Sequence, residues 1–388
     1  MHPPFSRRTA LRWLGAASVG GSLMPARLVL AAAPSVEDPM GKRLVVVVLR
    51  GALDGLAAVP AYGDASWSSL RGDADAASGQ QDALRLDNMF AMHPSLVNLH
   101  KWYGSKELLV MHAVASPYRE RSHFDAQQLL ESGGERPFVL TTGWLGRALQ
   151  NTGKPAIAMT AAMPLGLRGS DGASTWTPDK RKSVDPDFLV RVAQMYRDDP
   201  PLASALVQAM GQQDMAMGAQ GGPGFANLAR QAGLFLAGPK GPRVAWLELG
   251  GWDTHSNQTS RLVRLLTGLD EGLAALREAV GIHWAQTTIL VMTEFGRSAT
   301  YNGTGGTDHG TGGVAFVAGG GVAGGQVLAD WPGVAKGQLL DGRDLNPTRD
   351  LRDVIAPLVQ HQFSLSTEYL QSNILPGIAK PTLNFWSS

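Results

Sequence analysis

Short, wholly apolar runs alternate along this chain with longer stretches of helical periodicity. Residues 44–49 are unbroken aliphatics, four of them Val. A β-branched run too short for a helix predicts a strand covered on both faces. Similar runs recur at 107–114, 156–160, 243–249, 287–293 and 313–318. Between them lie helical patterns at 94–103, 123–132, 261–280 and 351–362. In the third, Leu262, Leu265, Leu266, Leu269, Leu273 and Leu276 recur at helical spacing, with Arg264, Asp270, Glu271 and Arg277 opposite. Strands alternating with helices predict an α/β fold with a doubly wound, mostly parallel sheet. In such sheets ligands gather at the carboxyl ends of the strands.

The alternation breaks between about 185 and 239, where three helical patterns follow one another at 185–196, 201–211 and 224–237. This reads as a helical insertion that either covers the site or packs on the sheet edge. The first 33 residues read as a leader rather than part of the fold. Ser6-Arg7-Arg8-Thr9-Ala10-Leu11 is a twin-arginine pattern, and a weakly apolar run and Ala31-Ala32-Ala33 follow it. Pro25, Arg27 and paired glycines make that run a poor spanning helix. The expected mature chain, 34–388, has no stable membrane span. It is handed by the twin-arginine export machinery to the periplasm or the exterior.

Composition narrows the classes further. With 388 residues, 44% hydrophobic and 17% charged, the chain can bury one large core. A net charge of +1, without a basic cluster interleaved with aromatics, argues against nucleic acid as a partner. With no Cys, disulfides contribute nothing to stability.

The candidate chemistry sits in turns beside the apolar runs. Gly250-Gly251-Trp252-Asp253-Thr254-His255, Thr293-Glu294-Phe295-Gly296-Arg297 and Gly306-Thr307-Asp308-His309-Gly310 place Asp253, His255, Glu294, Asp308 and His309 within one short stretch. Carboxylates and imidazoles at strand ends, with glycines allowing sharp turns, suit a hydrolytic metal site. Upstream, Leu49-Arg50-Gly51-Ala52-Leu53-Asp54-Gly55 delivers Asp54 into a turn after the first run. Arg119-Glu120-Arg121-Ser122-His123-Phe124-Asp125 leads into a helix. Ser122 there suits an N-cap, or a hydroxyl activated at a helix start. Arg121 suits contact with a tetrahedral anion. Arg297 suits either the substrate anion or an ion pair with Glu294. His93, His100, His112, His283 and His361 lie in apolar surroundings and read as structural.

Together the motifs LRGALDG, RSHFDAQ, GGWDTH, TEFGR, GTDHG, DWPG (330–333) and GRDL (342–345) resemble the domain of unknown function 1501 family, within the alkaline phosphatase-like superfamily. The resemblance implies metal ions held at strand ends by Asp, Glu and His, and a Ser or Thr at a helix start attacking phosphorus. By position, Asp54, Asp253, His255, Glu294, Asp308 and His309 resemble the metal ligands. Ser122 resembles the nucleophile, with His123 beside it. Phe295 stands where the superfamily has an imidazole, which puts a two-metal site in question. Sulfatases of the superfamily need Cys or Ser two residues before a Pro, and Ala115 precedes Pro117 here. Two functions fit. One is an exported hydrolase of phosphate esters, with a divalent Zn, Mg, Mn or Ca ion and a small anionic substrate. The other is a non-catalytic secreted envelope protein that keeps the fold, with or without one metal, for binding or assembly.

Overall fold

The computed structural model describes residues 41–76, 83–150, 152–178, 192–196, 198–200, 202, 203, 206 and 224–386. The leader at 1–33 and most of the first two helical patterns of the insertion lie outside the described residues. The third pattern is the helix Phe225–Ala237.

Eleven strands are described: β1 (Arg43–Arg50), β2 (Leu84–Arg85), β3 (Ala91–Met92), β4 (Leu108–Ala115), β5 (Ala156–Ala158), β6 (Ala173–Thr175), β7 (Val244–Gly250), β8 (Thr287–Thr293), β9 (Gly313–Gly319), β10 (Gln326–Leu328) and β11 (Arg349–Asp350). Strands β2 and β3 form a separate pair. The other nine form one sheet in the order β10-β4-β9-β8-β1-β7-β5-β6, with β11 also on β4. Every pairing is parallel except those of β9, which runs antiparallel to β4 and β8. The fold is therefore mixed α/β with a largely parallel central sheet, as the periodicity predicts.

The sheet is buried on both faces because the alternation of β1 feeds two cores. Val45, Val47 and Leu49 enter one cluster, with Leu262, Leu266, Leu269 and Leu273 of the helix Gln258–Val280. Leu44, Val46 and Val48 enter the other, with Trp144 and with Val354, Ile355 and Leu358 of the helix Leu351–Phe363. Each fully buried Val or Leu contributes ~1.5–3 kcal/mol, so the strand has no exposed face on which a slipped register could be tolerated. Among the described residues no helix is long and apolar enough to cross a membrane.

Topology places the polar motifs together. Strands β1, β7, β8 and β4 all end at one edge of the layer, and β9, running the other way, begins there. The turns after Arg50, Gly250, Thr293 and Ala115 and the turn before Gly313 therefore share that end.

Candidate metal centre

Three imidazoles converge at the strand ends. His123 opens the helix His123–Ser132, His255 follows β7, and His309 precedes β9. His123 Nε2 lies 3.0 Å from His309 Nε2, and His255 Nε2 lies 3.0 Å from the same atom. Asp253 joins them, with Oδ1 at 2.9 Å from His255 Nε2 and 3.3 Å from His309 Nε2, and Oδ2 at 3.6 Å from His123 Nε2.

The other nitrogen of each ring is engaged elsewhere. His123 Nδ1 meets Glu294 Oε1 at 2.9 Å, His255 Nδ1 meets Asp308 Oδ1 at 3.1 Å, and His309 Nδ1 meets the Arg121 carbonyl at 3.0 Å. Those partners only accept, which favours a proton on Nδ1 of His123 and of His309, whereas His255 faces a carboxylate at each ring nitrogen, Asp308 on Nδ1 and Asp253 on Nε2. Two imidazole nitrogens at 3.0 Å repel unless a proton or a metal ion lies between them, and His309 Nε2 makes two such contacts. Donors of a tetrahedral site with bonds of ~2.0–2.1 Å stand ~3.3 Å apart, close to the spacing here. His123, Asp253 and His309 bring one ligand atom each within 4.8 Å of one another, a nitrogen-rich set that suits zinc or a similar transition ion, and His255 stands beside His309. Calcium and magnesium favour all-oxygen shells. The residues present therefore fit a metal, and the carboxylates behind His123 and His255 orient rings in the manner of metal-ligating histidines.

The surroundings tune this group. The hydrogen bond to Glu294 raises the His123 pKa above its ordinary value against the opposing effect of burial. Burial, then the neighbouring His123 charge, lowers that of His309. For Asp253, burial pushes upward, but the hydrogen bond and charge of Arg297 outweigh it and hold the carboxyl below the usual range. Glu294 behaves alike: burial raises it, and hydrogen bonds from His123, Gln127 and Gly51 bring it below. Close backbone approach makes the assembly possible. At Gly51, φ is +111°, and a Cβ would stand 2.6 Å from the Asp253 nitrogen, while the Gly51 N–H donates to Glu294 Oε1 at 2.8 Å.

The predicted site residues thus separate into roles. Asp253, His255 and His309 face the centre. Glu294 and Asp308, expected as ligands, instead stand behind His123 and His255. Asp54 is elsewhere engaged: it accepts from Arg71 Nη1 at 2.9 Å and from Gln258 Nε2 at 2.6 Å, both buried, and from the Ala57 N–H at 3.1 Å. It caps a short helix and neutralises a buried guanidinium. Arg297, fully buried, holds Asp253 Oδ1 at 2.5 Å and bonds Thr307, so it is not free for a substrate anion. Arg121 is paired with Asp344 at 2.7 Å and with Asp341 at 3.4 Å. Ser122 is the N-cap residue but makes no side-chain cap bond. The Tyr118 hydroxyl, at the start of the same segment, donates to Asp125 Oδ2 at 3.0 Å.

His123 joins the cluster, although sequence reasoning placed it beside the nucleophile and not among the ligands. Its position directly after the helix N-cap, with Gln127 one turn on, carried the signal: Gln127 Nε2 donates to the same Glu294 oxygen at 3.0 Å. Phe295, in place of an expected imidazole, is buried with its ring 4.8 Å from that of His123 and 5.3 Å from that of His309.

Comparison with solved structures finds similar chains at low identity. A 2-O GAG sulfatase matches with a TM-score of 0.40 and 11% identity, over 74% of this chain and 66% of that one, a little under two thirds of its length. The zinc complex of the C-terminal periplasmic domain of EcEptC from Escherichia coli matches with a TM-score of 0.38 and 9% identity, over 72% of this chain and 74% of that one. The phosphonate monoester hydrolase of Agrobacterium radiobacter matches with a TM-score of 0.37 and 12% identity, over 84% and 74%. No curated protein matches the chain by sequence. The family described as "Protein of unknown function (DUF1501)" matches residues 109–374, more than half of the chain, and the chain belongs to that family.

Proposed function

We propose that this chain is an exported metal-dependent hydrolase of phosphate esters, with one zinc or similar ion held by His123, Asp253, His255 and His309. The observation that carries the reading is the cluster of His123, Asp253 and His309, joined by His255 Nε2 at 3.0 Å from His309, with every Nδ1 engaged elsewhere. When bound, such an ion polarises a phosphoryl oxygen and offsets the charge that gathers there. Ser122 is the proposed attacking hydroxyl. Its oxygen would bond to phosphorus as the bond to the ester oxygen breaks, and its proton would pass to the departing alkoxide. Glu294 and Asp308 keep the His123 and His255 rings turned toward the centre, and Arg297 keeps Asp253 ionised. Arg121 and Arg297 are both engaged in ion pairs, with Asp344 and with Asp253.

The twin-arginine leader supports export in a folded, metal-loaded state. Replacing Arg7 and Arg8 with Lys should retain the precursor in the cytoplasm, and unchanged export would remove this part of the proposal. Purified mature protein, loaded with zinc, is expected to hydrolyse a generic phosphomonoester or diester, and Ser122→Ala to abolish turnover. Full activity in Ser122→Ala would transfer the attack to water. The second reading, a non-catalytic envelope protein holding one ion, draws on Phe295 in the place of an imidazole. It takes over if zinc-loaded protein turns over no phosphoester.

A further inference from the structure

We infer that Asp344 is the hub of a clamp that sets the tautomer and position of His309, acting through Arg121 and Arg343. The consequence for metal affinity rests on the proposed centre, whereas the effect on the ring does not. The His309 ring is held by the carbonyl of Arg121, 3.0 Å from Nδ1. Its backbone is held by Arg343, whose Nη2 donates to the His309 carbonyl at 2.8 Å. Both guanidiniums sit on one carboxylate. Arg121 reaches Asp344 Oδ2 through Nε at 2.9 Å and Nη2 at 2.7 Å, and Arg343 Nη1 reaches Oδ1 at 3.1 Å.

Asp344 is built to stay in place. Its side chain is fully buried, Thr311 Oγ1 donates to it at 2.9 Å, and its backbone bridges Ser298 and Leu340. Arg121, by contrast, is under strain. Its φ is +60°, a left-handed conformation that a residue with a Cβ adopts only when its surroundings impose it. That conformation aims the carbonyl at His309, and the two-pronged contact with Asp344 supplies the constraint. A free imidazole is under no such obligation to keep its proton on Nδ1. The acceptor at Arg121 decides it, and leaves Nε2 for the centre. The GRDL motif, which supplies both Arg343 and Asp344, thereby acquires a role: it positions a ligand from 35 residues away in sequence, as Asp344 follows His309 by 344 − 309 = 35.

The test compares wild type with Asp344→Asn, Arg121→Ala and Arg121→Gly. Histidine ¹⁵N NMR of the metal-free protein reads the tautomer, and competition with a chelator reads zinc affinity. Wild-type His309 should carry its proton on Nδ1. Asp344→Asn and Arg121→Ala should shift it toward Nε2 and weaken zinc by about 10–100-fold. Arg121→Gly, which adopts the left-handed turn without strain, should retain more affinity than Arg121→Ala. Asp350→Asn, at a carboxylate paired with Arg352 at 2.7 Å, serves as the stability control and should leave the tautomer unchanged. Should Asp344→Asn not fold, the Gly and Ala variants at Arg121, a partly exposed position, carry the comparison. Wild-type tautomer and zinc affinity in folded Asp344→Asn, or in both Arg121 variants, would overturn the clamp. A tautomer shift in a protein whose wild type takes no zinc would uphold the clamp and sink the metal reading.

Discussion

At the residue scale, Asp54 and Asp253 show how similar local sequences reach different ends. Both carboxylates follow a buried strand and sit near glycines. Asp54 meets Arg71 in a dry interior, where both side chains are at most 1% exposed, whereas Asp253 stands 43% exposed among imidazoles. Removing Asp54 would leave a buried guanidinium without its counter-charge, a loss of about 3–5 kcal/mol. Asp54→Ala should therefore lower the urea midpoint strongly, while zinc stoichiometry in the folded fraction stays that of wild type. Loss of zinc from folded Asp54→Ala would restore Asp54 as a ligand. Ser122→Ala is the complementary case, because the missing cap bond predicts little change in stability. Its effect should appear in turnover alone, with unfolding and zinc content unchanged. The pattern of residues revealed which loops hold the chemistry but not the order of contact within them. Whether Glu294 faces the centre or stands behind His123 depends on which ring nitrogen it meets, and Arg71 lies outside any motif.

At the scale of elements, the aliphatic runs made the main strands legible to within a residue or two. The helix His123–Ser132 begins and ends where the pattern places it. The reversed direction of β9 was not legible, since a buried antiparallel strand has the same unbroken apolar run as a parallel one. The edge strands β6 and β10, three residues each, are too short for any period. In β4 the ladder shifts register between His112 and Val114, with Ala113 at φ +55°. The bulge buries the His112 ring between the Val59 carbonyl on Nε2 and the Ala113 N–H on Nδ1, each at 2.9 Å. A second proton would set two N–H groups against each other. Burial accordingly lowers the His112 pKa from its ordinary 6.5 to about 4. Between these values the unfolded chain binds a proton that the native chain refuses. The contribution is whole above 6.5 and is lost as pH falls toward 4. Urea midpoints should decline across that window, and the decline should shrink in His112→Gln. An equal slope in the variant would contradict this assignment. The helices Phe225–Ala237 and Gln258–Val280 meet just as closely. A Cβ on Gly272 would stand 2.3 Å from Phe225 Cδ1, so Gly272→Ala should destabilise by about 1–3 kcal/mol in denaturant unfolding.

At the scale of the whole molecule, the sheet works as a collecting frame. Strands that are neighbours in space but far apart in sequence bring residues 123, 253, 255 and 309 to one end, where no single turn could hold an ion alone. Binding an ion that the unfolded chain does not hold in that geometry also stabilises the fold, by RT ln(1 + [L]/Kd), or ~2.7 kcal/mol at a hundredfold excess over Kd. Thermal unfolding should therefore shift upward with zinc, and the shift should vanish in His309→Ala. The most direct test of the central claim is elemental analysis of the folded mature protein after zinc loading and desalting, beside His123→Ala and His309→Ala. Our account predicts about one zinc per wild-type chain, with the metal retained in Asp54→Ala and lost in both histidine variants. Wild-type protein without bound metal after loading, or a His123→Ala variant with the full complement, would contradict it.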